Sequence, residues 1–342
     1  MDLAAGGVPG TMTAAHPSTA GVRVSRLAAH LETLRPYDLV TVLLVAAAGA
    51  ELAVPRADPA MVLLAALMAL AAGAGALYAA DYLTRHDDFT TKPDRPIPSG
   101  RLSATAARHC AAGGTVTALA VTVAVNWRGL LFIGAAAAGQ VAYGRWLKDR
   151  GWWGDLAVGL SGWSCALLTA ATFTATWPPP ALWLPALALG LQGTFGNTLL
   201  ALADLDTDRA VGCRTLPVRR GPAGAVVAMT GCATACYALA ATAPGVLHRP
   251  PTPGFVALTV AAAVLGTSCL PPAAFRRGPS HLAWATELHF YERVMLPAAL
   301  LALAAGTLPV LCAVLAGVCV LALTPRSMLH AEALTGGPAG GR

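Results

Sequence analysis

The sequence predicts an all-α protein, a polytopic transmembrane bundle of nine or ten helices. Three observations predict it. Of 342 residues, 56% are hydrophobic and only 12% charged, against about 25% charged in a soluble domain. The mean hydropathy is +0.60. The apolar residues gather into runs near the roughly 20 residues that a helix needs to cross a bilayer. These runs do not alternate apolar with polar residues, which excludes a membrane β-barrel.

In chain order the runs fall near 38–56, 60–83, 104–125, 129–146, 153–175, 181–203, 222–244, 255–272, 288–306 and 309–324. Pro309 either separates the last two or kinks one long span, hence nine or ten. The connecting segments set the orientation through their Arg and Lys. Arg85, Lys92, Arg95 and Arg101 follow the second run, and Arg145, Lys148 and Arg150 the fourth. Arg209, Arg214, Arg219 and Arg220 follow the sixth, and Arg276 and Arg277 the eighth. The alternate connections carry Arg56, Arg128, none in "TWPPPALW", and Arg249. The rich connections are therefore expected in the cytoplasm. The N-terminus, with Arg23, Arg26 and Arg35, is placed on the same side of the cell (inner or plasma) membrane.

Residues 1–25 are expected to be a disordered tail, because they lack the basic start and apolar core of a signal peptide. The transmembrane domain is placed at 26–326. Residues 327–342, rich in Gly, are read as a second disordered tail. The net charge of +6 sits in connections and forms no basic patch with interleaved aromatics, which argues against nucleic acid as a partner. The eight cysteines are scattered, mostly inside apolar runs, where Cys acts as a small hydrophobe. Cys232 and Cys236 have no partners that would complete a zinc site.

Charge is costly next to hydrocarbon, so the stretch "YAADYLTRHDDFTTKPDRPIPSGR" (78–101) at the end of the second run implies a function. Asp81 and Asp88 are seven apart and share one helix face. The connection after the sixth run, "ADLDTDRAVGCRTLPVRRG" (203–221), is acidic too, and Asp204 and Asp208, four apart, also share a face. Carboxylates brought together repel one another unless a cation lies between them. Mg²⁺ is typically held by one or two carboxylates plus substrate phosphates. Two such clusters at one mouth therefore fit a Mg²⁺-bridged diphosphate, with Lys92 and the nearby arginines on the phosphate oxygens. An apolar chamber beneath that mouth would suit a greasy tail. The residues alone thus reach an isoprenoid diphosphate as substrate.

"DYLTRHDDFTTKPDRPIPSGRLS" resembles the first signature of the UbiA superfamily of intramembrane prenyltransferases, N-D-x-x-D-x-x-x-D followed by K-P-x-R-P-[IL]-P-S-G. "DLDTDRAVGCRTLPVRRG" resembles the second, and "AYGRWLKDRGWWGDLAVGL" (142–160) is similar to the family's Tyr…Leu-Lys…Gly-Asp segment. The resemblance covers about residues 30 to 310. It implies nine core helices around a central cavity that opens on the cytoplasmic side. It also implies a Mg²⁺-dependent transfer of a prenyl group from a polyprenyl diphosphate to an acceptor, often aromatic, in the lipid membrane. Carried over, Asp81 and Asp88 are acids of the first motif, and Asp204 and Asp208 of the second, with Asn197 two turns earlier. Lys92, Arg95 and Lys148 are diphosphate ligands, followed by Arg209 and Arg214. The chain departs from the pattern at Ala80, where the family has Asn, and at Thr84, where it has Asp. Asn197 stands where several members have another Asp. Thr84 and Asn197 still offer oxygen to the metal. The same departures admit a UbiA-like terpene cyclase, which needs no acceptor, and a non-catalytic prenyl-lipid binder.

Trp146, Trp152 and Trp153 are expected in an interfacial aromatic belt, while Tyr78 and Tyr143 belong nearer the mouth. "ELHFYERVMLP" (287–297) carries Glu287, His289, Glu292 and Arg293. It reads either as an interfacial helix start with paired charges or as an acceptor-binding or base element.

Overall fold

The computed structural model describes residues 19–210, 212–275, 279–325 and 329. Among the described residues the chain is helical and holds no strand. Its α-helices are α1 (Thr19–Leu34), α2 (Pro36–Leu52), α3 (Pro59–Thr91), α4 (Ala104–Asn126), α5 (Gly129–Ala142), α6 (Trp152–Gly159) and α7 (Cys165–Ala171). They continue with α8 (Trp183–Ala203), α9 (Leu205–Ala210), α10 (Leu216–Val246), α11 (Pro253–Ser268), α12 (Leu270–Phe275), α13 (Pro279–Ala305) and α14 (Thr307–Leu323). Residues 1–18 and nearly all of 327–342, the bulk of both expected tails, lie outside the described residues, as do Arg276 and Arg277. Helix α1 opens at Thr19, inside the range assigned to the first tail.

Six of these helices are long and apolar enough to cross a membrane, and a seventh forms if Arg26–Leu34 and Pro36–Leu52, bent by 43°, count as one span. The other apolar runs fall short of that length for visible reasons. A π-helical turn, Tyr143–Leu147, ends the fourth run, and another, Leu160–Ser164, divides the fifth between α6 and α7. Helix α14 is 17 residues long. Gly306, at φ +84°, makes the break between α13 and α14, a conformation that glycine adopts without a Cβ penalty. Pro309 sits in the first turn of α14, where its missing N–H costs nothing.

Helix α3 is the longest element, 33 residues, or about 50 Å at 1.5 Å per residue. That exceeds the roughly 30 Å of hydrocarbon in a bilayer, so its C-terminal turns carry Asp81, Thr84 and Asp88 out of the apolar stretch. Asp58 caps its start by accepting the Ala60 N–H at 2.9 Å. Pro93, next after the C-cap Lys92, cannot continue it. The centre of the bundle is α2, α7, α8 and α13, where Leu44, Val45, Leu167, Leu189, Phe290 and Leu300 are buried together. Outward faces are apolar as well: Val256, Val260 and Val264 form an exposed stripe along α11, as lipid contact requires.

A polar cluster lies deep in the interior, between α8, α10 and α13. Glu292 and His289 on α13 are 1% and 2% exposed. Gln192 Nε2 on α8 donates to Glu292 Oε1 at 2.6 Å, and the Tyr237 hydroxyl on α10 donates to the same oxygen at 2.8 Å. His289 Nδ1 lies 2.9 Å from Glu292 Oε2. These residues are thus not an interfacial helix start, because α13 begins ten residues before His289 and encloses it. The imidazole fits only because position 196 is glycine: a Cβ there would collide with His289 Nε2. Gly196→Ala is expected to destabilise the protein by about 1–3 kcal/mol, the usual cost of overpacking. Thermal unfolding in detergent checks this, and adding His289→Ala should recover part of the loss.

Candidate active site

The acidic end of α3 is buried by its own cations. Asp81 and Asp88 are each 5% exposed. Arg35, at the α1–α2 bend, donates from Nη2 to Asp81 Oδ1 at 3.1 Å. Arg95 Nη1 donates to Asp88 Oδ2 at 3.1 Å and lies 3.9 Å from Asp81 Oδ1. One guanidinium thus bridges the two carboxylates. The hydroxyl of Thr84 lies one turn from Asp88 and donates to its Oδ2 at 2.8 Å. The loop that follows is held in place by Arg101, which grips both carboxylate oxygens of Glu32 on α1 at 2.6 and 3.1 Å.

The second acidic end lies across the C-terminus of α8. Asp204 is its C-cap, and Asp208 follows on the short α9. Burial pushes the Asp208 carboxyl above the usual carboxylate range. Its hydrogen bond from the Thr215 hydroxyl (3.0 Å) and the positive charges of Lys148 and Lys92 pull it back, while Asp204 pushes it up. Lys92 caps α3 of the first motif, yet its charge acts on Asp208 of the second. The two acidic helix ends therefore lie within electrostatic reach of each other. Lys148, in the 3₁₀ turn Lys148–Arg150, supplies the second cation. Arg209 is turned away: it is exposed and pairs with Asp206 at 3.5 Å. Arg214 is exposed too, and its backbone N–H donates to Asp149 at 2.9 Å.

Asn197 faces a residue that sequence reasoning left without a role. Its Nδ2 donates to Asp155 Oδ1 at 2.7 Å, and the Thr198 hydroxyl donates to Asp155 Oδ2 at 2.9 Å. Asp155 is 4% exposed. Tyr143 lies close enough to this group for its hydroxyl to feel the charges of Asp155 and Asp208. An acid inside the fifth apolar run was the available signal for Asp155. Arg35 was counted only for orientation. An open, largely apolar groove of about 510 Å³ is lined by Leu147, Arg150, Trp153, Leu156, Ala157 and Leu160.

The donor set fits Mg²⁺. Every candidate side chain offers oxygen, with no thiolate or imidazole among them. Two carboxylates stand on one face of α3, and Asp81 Oδ2 and Asp88 Oδ1 take no part in the pairs above. Among the described residues no three acidic, His or Cys side chains converge into a closed cage. A bound ion would thus take further ligands from phosphate, which is the common arrangement for Mg²⁺.

The model of the UbiA prenyltransferase family matches residues 39–271. The chain is 33% identical over 193 residues to the digeranylgeranylglyceryl phosphate synthase of Methanopyrus kandleri, covering 56% of this chain and 70% of that protein. It is also 33% identical over 150 residues to the bacteriochlorophyll synthase 33 kDa chain of Cereibacter sphaeroides, covering 42% and 48%. Its fold is similar to that of a UbiA homologue from Aeropyrum pernix K1, with a TM-score of 0.65 at 19% identity over 77% of this chain and 96% of that one. It is similar as well to a UbiA homologue from Archaeoglobus fulgidus bound to GPP and Mg²⁺, with a TM-score of 0.56 at 17% identity over 80% and 99%.

Proposed function

The chain belongs to the UbiA prenyltransferase family, and from that premise we propose that it moves a prenyl group from a polyprenyl diphosphate to a small lipophilic acceptor inside the membrane. The observation that carries the reading is the buried carboxylate pair Asp81 and Asp88 bridged by Arg95, with the second acidic end close enough for Lys92 to act on Asp208. In this reading Asp81, Thr84, Asp88, Asn197, Asp204 and Asp208 hold Mg²⁺ and its waters around the diphosphate. When bound, Mg²⁺ neutralises the charge that builds on the diphosphate as its bond to the allylic carbon breaks.

Lys92, Arg95 and Lys148 grip the phosphate oxygens. Arg95 is already aimed at this mouth by Asp81 and Asp88, so little ordering remains to be done on binding. Arg35 holds Asp81 in place through its Nη2 hydrogen bond. Asp155 orients Asn197 and Thr198. The prenyl tail lies on apolar surface, for which the groove along α6 is one path. The acids face the cytoplasm, where the diphosphate is made soluble by its charge, and the central cavity opens on that side of the plasma membrane. The new bond forms between the allylic carbon and the acceptor, which releases a proton.

The test uses membranes containing the protein, Mg²⁺ and labelled geranyl, farnesyl and geranylgeranyl diphosphates. The expected result is a prenylated lipid product with one diphosphate released for each product molecule. Absence of diphosphate release at every chain length contradicts the reading. A hydrocarbon formed without acceptor would assign the same site to cyclisation instead.

A further inference from the structure

The face of the bundle away from the acidic mouth holds a cation that has no acidic partner among the described residues. Helix α4 starts just after the first motif and runs 23 residues to Asn126, about 35 Å at 1.5 Å per residue. Arg128 therefore stands across the membrane from Asp81 and Asp88, in a connection otherwise poor in Arg and Lys. Its guanidinium is stacked between two indoles, 5.3 Å from the centre of the Trp127 ring and 5.3 Å from that of Trp177. Arg128 Nε is buried without a hydrogen-bond partner. Among the described residues, neither of its terminal nitrogens donates to a protein group. Asn126 fixes the connection in place. Its Nδ2 donates to the carbonyls of Thr172, Ala175 and Thr176 at 3.0, 3.2 and 3.0 Å, and its Oδ1 accepts the Arg128 N–H at 3.2 Å. Trp127, Trp177 and Trp183 are all about half exposed on this face.

We propose that Arg128 binds the phosphate of an anionic glycerophospholipid in the leaflet opposite the acidic mouth. The claim is independent of the prenyl-transfer reading. Exposed Trp side chains mark the level where acyl chains give way to headgroups, and three of them surround Arg128. A cation that only snorkels keeps its long side chain free to follow the water. This one is restrained on both faces by indole rings, which attract it through their π-systems. Stacking leaves the in-plane edges of the guanidinium for hydrogen bonds, and no protein group claims either edge. A phosphodiester offers two oxygens that match such a fork. Because Nε lies away from water, its acceptor has to arrive with the ligand, and a donor left unmet there is costly. Apolar surface continues beside the fork: Leu131 is exposed, and the Phe132 ring lies 6.2 Å from that of Trp183, so acyl chains have a bed next to the headgroup. A choline headgroup brings its own cation, for which the Trp127 and Trp177 faces are already taken, so a net negative lipid is preferred. Once bound, the lipid clamps the α4–α5 connection to the α7–α8 connection.

The test is native mass spectrometry of the full chain in detergent, titrated with dioleoylphosphatidylglycerol, dioleoylphosphatidylcholine or dioleoylglycerol, and read as the affinity for the first lipid retained. Phosphatidylglycerol should bind about fivefold tighter than phosphatidylcholine or better, as a charge-assisted fork predicts, and dioleoylglycerol should not saturate. Arg128→Gln should lower phosphatidylglycerol affinity by about fivefold or more. Arg219→Gln, which removes an exposed cation from the mouth side, should change it by less than about twofold and so separates a site from general attraction to basic connections. If Arg128→Gln does not fold, Trp177→Leu is read instead: with one wall gone, the preference for phosphatidylglycerol over phosphatidylcholine should fall within about twofold. Millimolar inorganic phosphate should leave the lipid in place. Equal affinity for phosphatidylglycerol and phosphatidylcholine in the parent, or a phosphatidylglycerol affinity that survives Arg128→Gln, overturns the proposal. So does an equal loss in Arg219→Gln, or full displacement of the lipid by inorganic phosphate.

Discussion

Asp88→Asn is expected to lower diphosphate release by about 10²–10³-fold, the usual effect of deleting one group that stabilises developing charge. The change is nearly isosteric, so the fold should survive. Chemically it removes half of the carboxylate pair that Arg95 bridges (3.1 Å to Asp88, 3.9 Å to Asp81), and it turns an acceptor of the Thr84 hydroxyl into an amide. The Mg²⁺-dependent part of substrate affinity should go with it, while the freed Arg95 still holds phosphate, so turnover falls further than overall affinity. Initial rates with labelled geranylgeranyl diphosphate, at matched protein levels, measure it. A rate within a fewfold of the parent would remove Asp88 from the chemistry.

Asp155→Asn is expected to cost about 10–100-fold in activity, the range seen when a residue that orients ligands is replaced. Asp155 accepts two hydrogen bonds, from Asn197 Nδ2 and the Thr198 hydroxyl. An amide at 155 accepts only one of them and points an N–H₂ group at a donor. Asn197 then loses its orientation. The swap Asp155→Asn with Asn197→Asp restores one donor facing one acceptor, and should recover part of the rate. A purely structural Asp155 would lower the melting temperature in the single variant without changing turnover per folded molecule, so both are measured. Non-additivity of the two changes is the signature of a shared network.

Helix positions and the paired acids were legible because they rest on local periodicity. Asp81 and Asp88 do share a face of α3, Thr84 lies between them, and α4, α8 and α10 fall on the expected apolar runs. Their recurrence predicts the two motifs at one mouth, and Lys92 lies within electrostatic reach of Asp208. Long-range partners were not legible. Nothing local says that Arg35 reaches 46 residues to Asp81, or that Asn197 reaches 42 residues to Asp155. The start of α13 was set late because His289 and Glu292 look like an interface. Gln192 and Tyr237, from two other helices, satisfy Glu292 and let it lie inside. Arg209 was expected on the diphosphate by its place in the motif, but the short α9 turns it to Asp206.

The most direct test of the central claim, that both acidic helix ends hold one Mg²⁺–diphosphate, is a double-mutant cycle on Asp88→Asn and Asp208→Asn. The quantity read is the Mg²⁺-dependent affinity for geranyl S-thiolodiphosphate. Groups that act as a unit are strongly non-additive. The account predicts that each single change removes the Mg²⁺ dependence and that the double variant is no worse than the weaker single. Additive losses, or a Mg²⁺ dependence that survives either change, would contradict it.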